Sequence, residues 1–430
     1  MTGPLSGITV LDVTQQLVGP GGTMLLGDMG ADVIHVEPPP ADVPSYARDS
    51  QGRMRAGLSF LRSKRSISLD LTKNEARQVV YDLAEHADVF YQNYRYGVAD
   101  DLGMDYAHIE QVNPSIVYCG VSAFGYTGPD EHRVGFDIIA QAGGGSMVPR
   151  HDSPDLPSPQ GSPIGDVTGM CLGALGVVAA LHHRRETGQG QEVNTSLLHS
   201  VTLNSILRLV AIEGEDQQWR DALIEGTREM TQSGATFAQT QEATATGIGG
   251  LPAARSQGAG GLGINVYYRS YTTADGFIAI GCLNLRQQQR LNAALELGDP
   301  RFEPAVDLES AEGQERAAAM LPRAEELFRS KTTEEWIEYL DSRSVACGRV
   351  LNTLELFDDP HHRANQTMIE YEDPWVGTVK TLGYPIRFDK TPMEMQLPAQ
   401  PLGRQTDEIL ASIGRSPEEI AQLRQAGVAF

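Results

Sequence analysis

The chain has 430 residues, 40% hydrophobic and 21% charged, which is enough apolar material for one large and one smaller core. A formal net charge of -22 speaks against a general nucleic-acid surface and means that any anionic ligand needs a local basic patch. Cys119, Cys171, Cys282 and Cys347 form no close pair, which argues against a disulfide framework or zinc site and for a reducing cytoplasm.

Met1 to Gly7 lacks the basic-then-apolar pattern of a signal peptide. Residues 8–13 (ITVLDV) read as a strand, QQLVGPGGTMLLGDMGA as a glycine-rich turn entering a helix, and DVIHVEPP as a second strand, which makes a βαβ unit. A loop follows at Pro38, Pro39, Pro40 and Pro44. SISLDL at 66–71 reads as a strand, 74–87 as a helix, and DVFYQN at 88–93 and SIVYCGVSAFG at 115–125 as further strands. That alternation predicts a doubly wound parallel sheet. GDVTGMCLGALGVVAALHHRRETGQGQ at 165–191 starts at a glycine turn and stops at Gly188. Its apolar run, Met170 to Leu181, is read as a buried helix too short for a bilayer, so no membrane partner is expected. VNTSLLHSVTLNSILRLVAI at 193–212 is a strand-and-helix region, and the polar stretch 214–262 reads as linker plus a flexible functional loop. VYYRSYTTADGFIAIGCLN at 266–284 predicts a hairpin turned at Ala274-Asp275-Gly276, acidic helices follow around 309–342, and the tail ends in a capped helix, SPEEIAQLRQAG.

Several motifs are weighed against plainer readings. Gly19-Pro20-Gly21-Gly22 lacks the GxGxxG spacing of a dinucleotide fingerprint, and a tight turn is its simplest reading. No GxxxxGK[ST], HExxH or GxSxG occurs, and the adjacent pairs His182-His183 and His361-His362 point apart in any regular element. Asp166 follows Gly165 at the start of an apolar helix. An N-cap there is worth about 1 kcal/mol, and the helix macrodipole keeps such a carboxylate ionised, as a carboxylate nucleophile must be. Position alone does not choose between cap and nucleophile.

In order and spacing, the chain resembles the class III CoA-transferases nearly end to end. That family includes formyl-CoA transferase and carnitine CoA-transferase, with α-methylacyl-CoA racemases as relatives. The resemblance is carried by GITVLDVTQQLVGP, GADVIHVEPP, SKRSISLDL, ADVFYQNYRYGVADDLGMDY, NPSIVYCGVSAFGYTGP, GFDIIAQA, GDVTGMCLGALGVVAALHHRRETGQGQ, YRSYTTADGFIAIGCLN and PLGRQTDEIL.

It implies that Asp166 is the nucleophile. It also implies that coenzyme A is bound by Leu17 and Val18, by Leu69, Asp70, Leu71 and Thr72, by Asn93, Tyr94 and Arg95, and by Arg133, Val134, Gly135 and Phe136. A glycine loop at Gly258, Gly260 and Gly261 would cover the site. Backbone N–H groups near Gly165, with that loop, are expected to hold the oxyanions.

Two arginines that the family often uses for CoA phosphates are Pro38 and Asp101 here, and Arg95, Lys73, Arg62 and Arg133 are the substitutes on offer. The racemases resemble one another in a GHD motif, whereas this chain has Gly135-Phe136-Asp137, and phenylalanine exchanges no proton.

The resemblance further implies an α/β fold: a large Rossmann-like domain with a smaller α+β domain, in an interlocked homodimer. The expected division is 1–200 for the large domain, 201–225 for a linker, 226–330 for the small domain, and 331–430 for a linker and return to the large domain. Acyl-CoA and a small carboxylic acid are the expected substrates, with no metal or redox cofactor. An acyl-CoA racemase or isomerase of the same fold is the alternative. A non-catalytic partner subunit is disfavoured by the presence of Asp166, and an NAD-dependent enzyme by the missing fingerprint.

Overall fold

The structure is a computed structural model that describes residues 3–40, 49–50, 52–244, 264–308 and 310–430. The chain divides into two compact units. The larger comprises 1–206, 226–241 and 357–430, and the smaller comprises 207–225 and 242–356.

Six strands build the larger unit: β1 (Thr9–Asp12), β2 (Asp32–Glu37), β3 (Lys64–Ser68), β4 (Val89–Gln92), β5 (Val117–Ser122) and β6 (Gln191–Ser196). Their order is β3-β2-β1-β4-β5-β6, and every pair is parallel. Val10 at the centre lies opposite Val33 on one side and Val89 on the other. A parallel sheet is covered on both faces, which is why β4 and β5 are buried along their whole length rather than on alternate residues. β3 ends earlier than the sequence suggests. After Ser68, Leu69 bridges Ala429 and the Asp70 N–H donates to the Val428 carbonyl, so the C-terminal residues take over the pairing.

Helix α1 (Val18–Asp28) is buried throughout, consistent with a helix that is apolar on every side. The glycine run expected to form a tight turn is instead its first turn. The missing side chains admit a neighbouring helix: a Cβ on Gly21 would lie 2.6 Å from Met170 Sδ. Helix α2 (Asn74–Glu85) packs Val79, Val80 and Leu83 into the core on the side that also holds Phe90 and Tyr118. Two further helices matter for the site: α3 (Asp137–Gly143) and α4 (Ile164–Thr187).

The apolar run in α4 belongs to a helix of 24 residues, long and apolar enough by composition to cross a membrane, so the expectation of a short segment is corrected. Its buried stripe of Gly165, Gly169, Gly173, Ala174, Val177, Ala180 and Leu181 packs within the unit, as a core helix does, while Leu175 is 66% exposed. Small residues set the depth of that contact, for a Cβ on Gly173 would lie 1.8 Å from the buried Tyr91 hydroxyl. α5 (Leu197–Leu203) follows β6 directly, capped by Ser196.

The polar stretch expected as a linker contains two helices, Gln217–Gln232 and Phe237–Thr244. The Gln217–Gln232 helix buries no residue fully, and its helical period is carried by only a thin stripe, Trp219, Leu223 and Met230, among polar neighbours.

In the smaller unit, strands Tyr268–Thr272 and Phe277–Gly281 form the expected hairpin through Ala274-Asp275-Gly276, and Cys347–Arg349 adds a third antiparallel strand. Tyr271 stacks on Phe328 at 4.3 Å and Phe328 meets Trp336 at 4.9 Å in its core. The C-terminal helix Pro417–Gln425 carries the capping box its sequence announces, between Ser416 and Glu419.

Candidate active site

In a parallel sheet of this order, the chain leaves β1 and β4 in opposite directions, and a crevice opens beyond their carboxyl ends. A cavity of about 750 Å³ lies there. Its lining comes from the loop after β1 (Gln15 to Val18), the loop after β4 (Asn93 to Arg95), the end of β5, and the residues around Asp137 and Asp166.

The floor is held by a buried polar cluster. Lys64 Nζ donates to Asp12 Oδ2 at 2.9 Å, to Thr23 Oγ1 at 2.7 Å and to the Pro20 carbonyl at 2.7 Å. Asp12 Oδ1 accepts from the N–H and the hydroxyl of Thr14. Burial alone would raise the Asp12 pKa, but Lys64 and His35 beside it hold it well below the carboxylate range. The cluster fixes the first turn of α1 and the loop before it. Asn93 closes the loop from the other side, its amide oxygen accepting from Gln15 N–H and its amide nitrogen donating to the Gln15 carbonyl, both at 2.8 Å.

Asp166 is the third residue of α4, and it does not cap that helix. The cap comes from Asp137, whose Oδ1 accepts from Gly165 N–H at 2.7 Å and Asp166 N–H at 3.2 Å. Gln141, fully buried, donates to the other Asp137 oxygen at 2.5 Å, and its side-chain amide oxygen accepts from Gln160 N–H. The cap reading of Asp166 is thereby replaced, and its carboxylate is left for other work. Burial, and then the neighbouring Asp137 charge, push the Asp166 pKa up to about 6. The lowering expected from the macrodipole is outweighed, yet such a group is still about nine-tenths ionised at neutral pH.

The remaining N–H groups of that first turn are also occupied, Ile164 by the Ser162 carbonyl and Val167 by that of Pro163. The expectation that N–H groups near Gly165 hold an oxyanion is therefore corrected, because Asp137 already takes the Gly165 donor. The start of α1 differs. It has no side-chain cap, and the N–H groups of Val18 and Gly19 meet no acceptor among the described residues.

The other expected site residues divide. Leu17, Val18, Asn93, Tyr94, Arg95, Gly135 and Phe136 line the cavity with Asp166. Arg133 and Val134 do not line it; Arg133 pairs with Asp130 and lies over the Phe124 ring. Leu69 to Thr72 also lie away from the lining. Leu69 is buried against the C-terminus, and Asp70 folds onto Thr72.

Among the offered phosphate partners, Arg62 is ruled out, being fully buried against Asp28 and bonded to the Leu382 and Gly383 carbonyls. Lys73 is spent on the Ala426 and Gly427 carbonyls. Arg95 lines the cavity with no partner among the described residues. Gly258, Gly260 and Gly261 lie outside the described residues.

Asp137 is the residue that sequence reasoning passed over. Its signal was available in GFDIIAQA, where an aspartate opens a helix with a glutamine four residues on. One trio, Asp100 and His108 exposed and Asp105 half-buried, has metal-ligand spacing, but Asp105 is engaged as the cap that accepts from His108 N–H.

A profile described as CoA-transferase family III matches residues 5–218 and 209–406. The succinyl-CoA:mesaconate CoA-transferase of Haloarcula marismortui is 31% identical over 404 residues, 90% of this chain and 91% of that relative. The formyl-CoA:oxalate CoA-transferase of Bradyrhizobium diazoefficiens is 30% identical, covering 99% of this chain and 97% of its own. The crystal structure of a CAIB/BAIF family protein from Brucella suis superimposes with a TM-score of 0.69 at 25% identity, over 96% of this chain and 100% of that one. Its mixed α/β architecture is the same.

Proposed function

The chain belongs to CoA-transferase family III and is an enzyme of that class, and from this premise we propose that it moves coenzyme A between two carboxylic acids by covalent catalysis on Asp166. The observation that carries the proposal is that Asp137 caps α4 in place of Asp166, which leaves the Asp166 carboxylate on the wall of the crevice without a hydrogen-bonding partner among the described residues. A carboxylate whose pKa is raised to about 6 stays charged at neutral pH and is more basic than an ordinary aspartate, which suits a nucleophile.

Asp166 attacks the thioester carbonyl, forming an aspartyl–acyl anhydride and expelling CoA thiolate. The thiolate attacks the aspartyl carbonyl of the anhydride, forming an aspartyl-CoA thioester and releasing the donor acid. The acceptor carboxylate then attacks that thioester, again expelling thiolate, which attacks the acceptor acyl carbonyl and regenerates Asp166. The uncapped start of α1, with the Val18 and Gly19 N–H groups, is the oxyanion donor that this geometry favours. Arg95 is the favoured phosphate partner.

The sheet order supports a Rossmann-like assignment. The exposed apolar face of α4, with Leu175 at 66% and Val178 at 37%, supports an interlocked homodimer in which a second copy covers it. Four free cysteines suit the cytoplasm. The racemase reading is less favoured, because Phe136 supplies no exchangeable proton.

The test is trapping. With an acyl-CoA donor, no acceptor and added hydroxylamine, the peptide containing Asp166 should gain the mass of OH exchanged for NHOH. If that peptide stays unmodified while the donor is turned over, the covalent reading fails.

A further inference from the structure

A buried arginine stands next to the crevice and takes no part in the steps above. Arg53 is 7% exposed, and its guanidinium donates four hydrogen bonds. Two run side by side to the Asp373 carboxylate at 2.9 and 3.0 Å, the strong two-pronged form of this pair. The others go to Asp49 Oδ2 at 2.7 Å and to the Ala399 carbonyl at 2.6 Å. The Trp375 ring lies 5.0 Å from the guanidinium carbon.

The socket comes from a part of the chain 320 residues further on. Strands Met368–Asp373 and Gly377–Leu382 form a hairpin, and Asp373 Oδ1 closes its turn by accepting from the Trp375 and Val376 N–H groups. Burial would raise the Asp373 pKa, but the Arg53 guanidinium and those N–H groups hold it below the ordinary aspartate value. The backbone of Arg53 is fixed too, because its N–H donates to Asp49 Oδ1 at 3.0 Å and its carbonyl accepts from Asp49 N–H at 2.8 Å. A residue held by both backbone and side chain leaves its chain neighbour little freedom. That neighbour is Met54, which lines the crevice with Asp166, whereas Arg53, Asp373 and Trp375 lie outside the lining. A methionine side chain moulds itself to irregular apolar surface, so its contact with a ligand depends on a backbone that holds still.

We propose that Arg53, seated in the Asp373–Trp375 turn, is a positioning residue that holds Met54 against acyl-CoA in the crevice. The proposal rests on the crevice being the acyl-CoA site and names what sets one of its walls.

The experiment compares the full-length wild-type enzyme with Asp373→Asn, Met54→Ala and the double variant. Asn keeps the turn, since its amide oxygen still accepts from Trp375 and Val376 N–H, but it removes the charge and one acceptor facing Arg53. KM and kcat are measured with succinyl-CoA and acetate and with acetyl-CoA and succinate. The Kd of acetyl-CoA is measured by titration calorimetry in the Asp166→Asn background. Each single variant should raise KM and Kd about tenfold, the scale of one apolar contact in a pocket, and change kcat by less than about threefold. The double variant should match Met54→Ala, because Arg53 acts through that side chain. A merely structural pair would lower the melting temperature and leave both constants alone.

Wild-type KM and Kd in folded Asp373→Asn or Met54→Ala protein overturn the positioning role, and so does a double variant whose losses multiply. Where Asp373→Asn does not fold, Trp375→Leu takes its place with the same outcomes, since it withdraws only the ring beside the guanidinium. Wild-type protein that binds acetyl-CoA but exchanges no acid overturns the transfer reading alone, and the positioning role is then judged on Kd. Folded wild-type protein that binds no acetyl-CoA overturns both.

Discussion

Replacing Asp137 by Asn should shift the pH profile of the enzyme without removing the helix cap. The amide oxygen of Asn still accepts from Gly165 and Asp166 N–H, but the negative charge beside Asp166 is gone. The Asp166 pKa rises from 3.8 to about 6 for two reasons, burial first and Asp137 second. Of the roughly two units of rise, the smaller cause accounts for less than half, so the variant should lower the acidic limb of kcat/KM by less than about 1 unit. At pH 5 that corresponds to a gain of up to about fivefold in activity relative to each enzyme's own plateau. The inverted contact with Gln141, where an amide nitrogen replaces the accepting oxygen, costs about 1 kcal/mol of stability. The assay is kcat/KM for an acyl-CoA donor from about pH 4.5 to about 8, with folding checked by thermal melts at each pH. A limb near 4 in the wild type would refute the raised Asp166 pKa. A limb unmoved in a folded Asp137→Asn protein would refute the electrostatic coupling between the two carboxylates.

Asp166→Asn should abolish transfer and at the same time stabilise the fold. Because the folded pKa of Asp166 is raised, wild-type stability falls as pH climbs from about 4 to about 6 and stays lower above it, so the variant should gain roughly 1 kcal/mol at pH 7.5, after allowance for solvent screening, and nothing near pH 4, by urea melts. Lys64→Met should cost about 3–5 kcal/mol by the same measurement, since it leaves the Asp12 charge buried without its cation; a loss under about 1 kcal/mol would show that the pair does not hold the floor of the crevice. Leu175→Glu, on the exposed face of α4, should convert the proposed dimer to monomer in light scattering, and an unchanged molar mass would remove that face from the interface.

The parallel sheet was legible because its inner strands β4 and β5 are largely apolar runs separated by a helix-bearing stretch, and burial on both faces leaves that mark in the sequence. What escaped had no such mark. The end of β3 is set by residues 428 and 429, more than 350 positions away, and no local pattern announces that partner. The glycine run after β1 reads locally as a turn, since glycine disfavours a helix interior by about 1 kcal/mol. Its residues are glycine because α4 and the Tyr91 hydroxyl occupy the space that side chains would need. Helix Gln217–Gln232 buries no residue fully, and its single stripe of Trp219, Leu223 and Met230 is easily lost among polar neighbours.

The site was legible to a different depth. Asp166 was singled out by its place before an apolar helix and by motif order, but those clues do not separate a cap from a free carboxylate. The distinction depends on where the helix begins and on Asp137, 29 residues earlier, whose oxygen takes the Gly165 and Asp166 N–H groups of its first turn. The same transfer of duties runs through the cations. Arg62 and Lys73 look available in the sequence because charge is visible there, whereas the carbonyls and the carboxylate that consume them come from Asp28, residues 382–383 and residues 426–427. Arg95 stays available because its own loop is held by Asn93 instead, through two backbone bonds to Gln15. In this protein, residue type names the candidates for chemistry, and the hydrogen bonds made by distant neighbours decide which of them remain free to perform it.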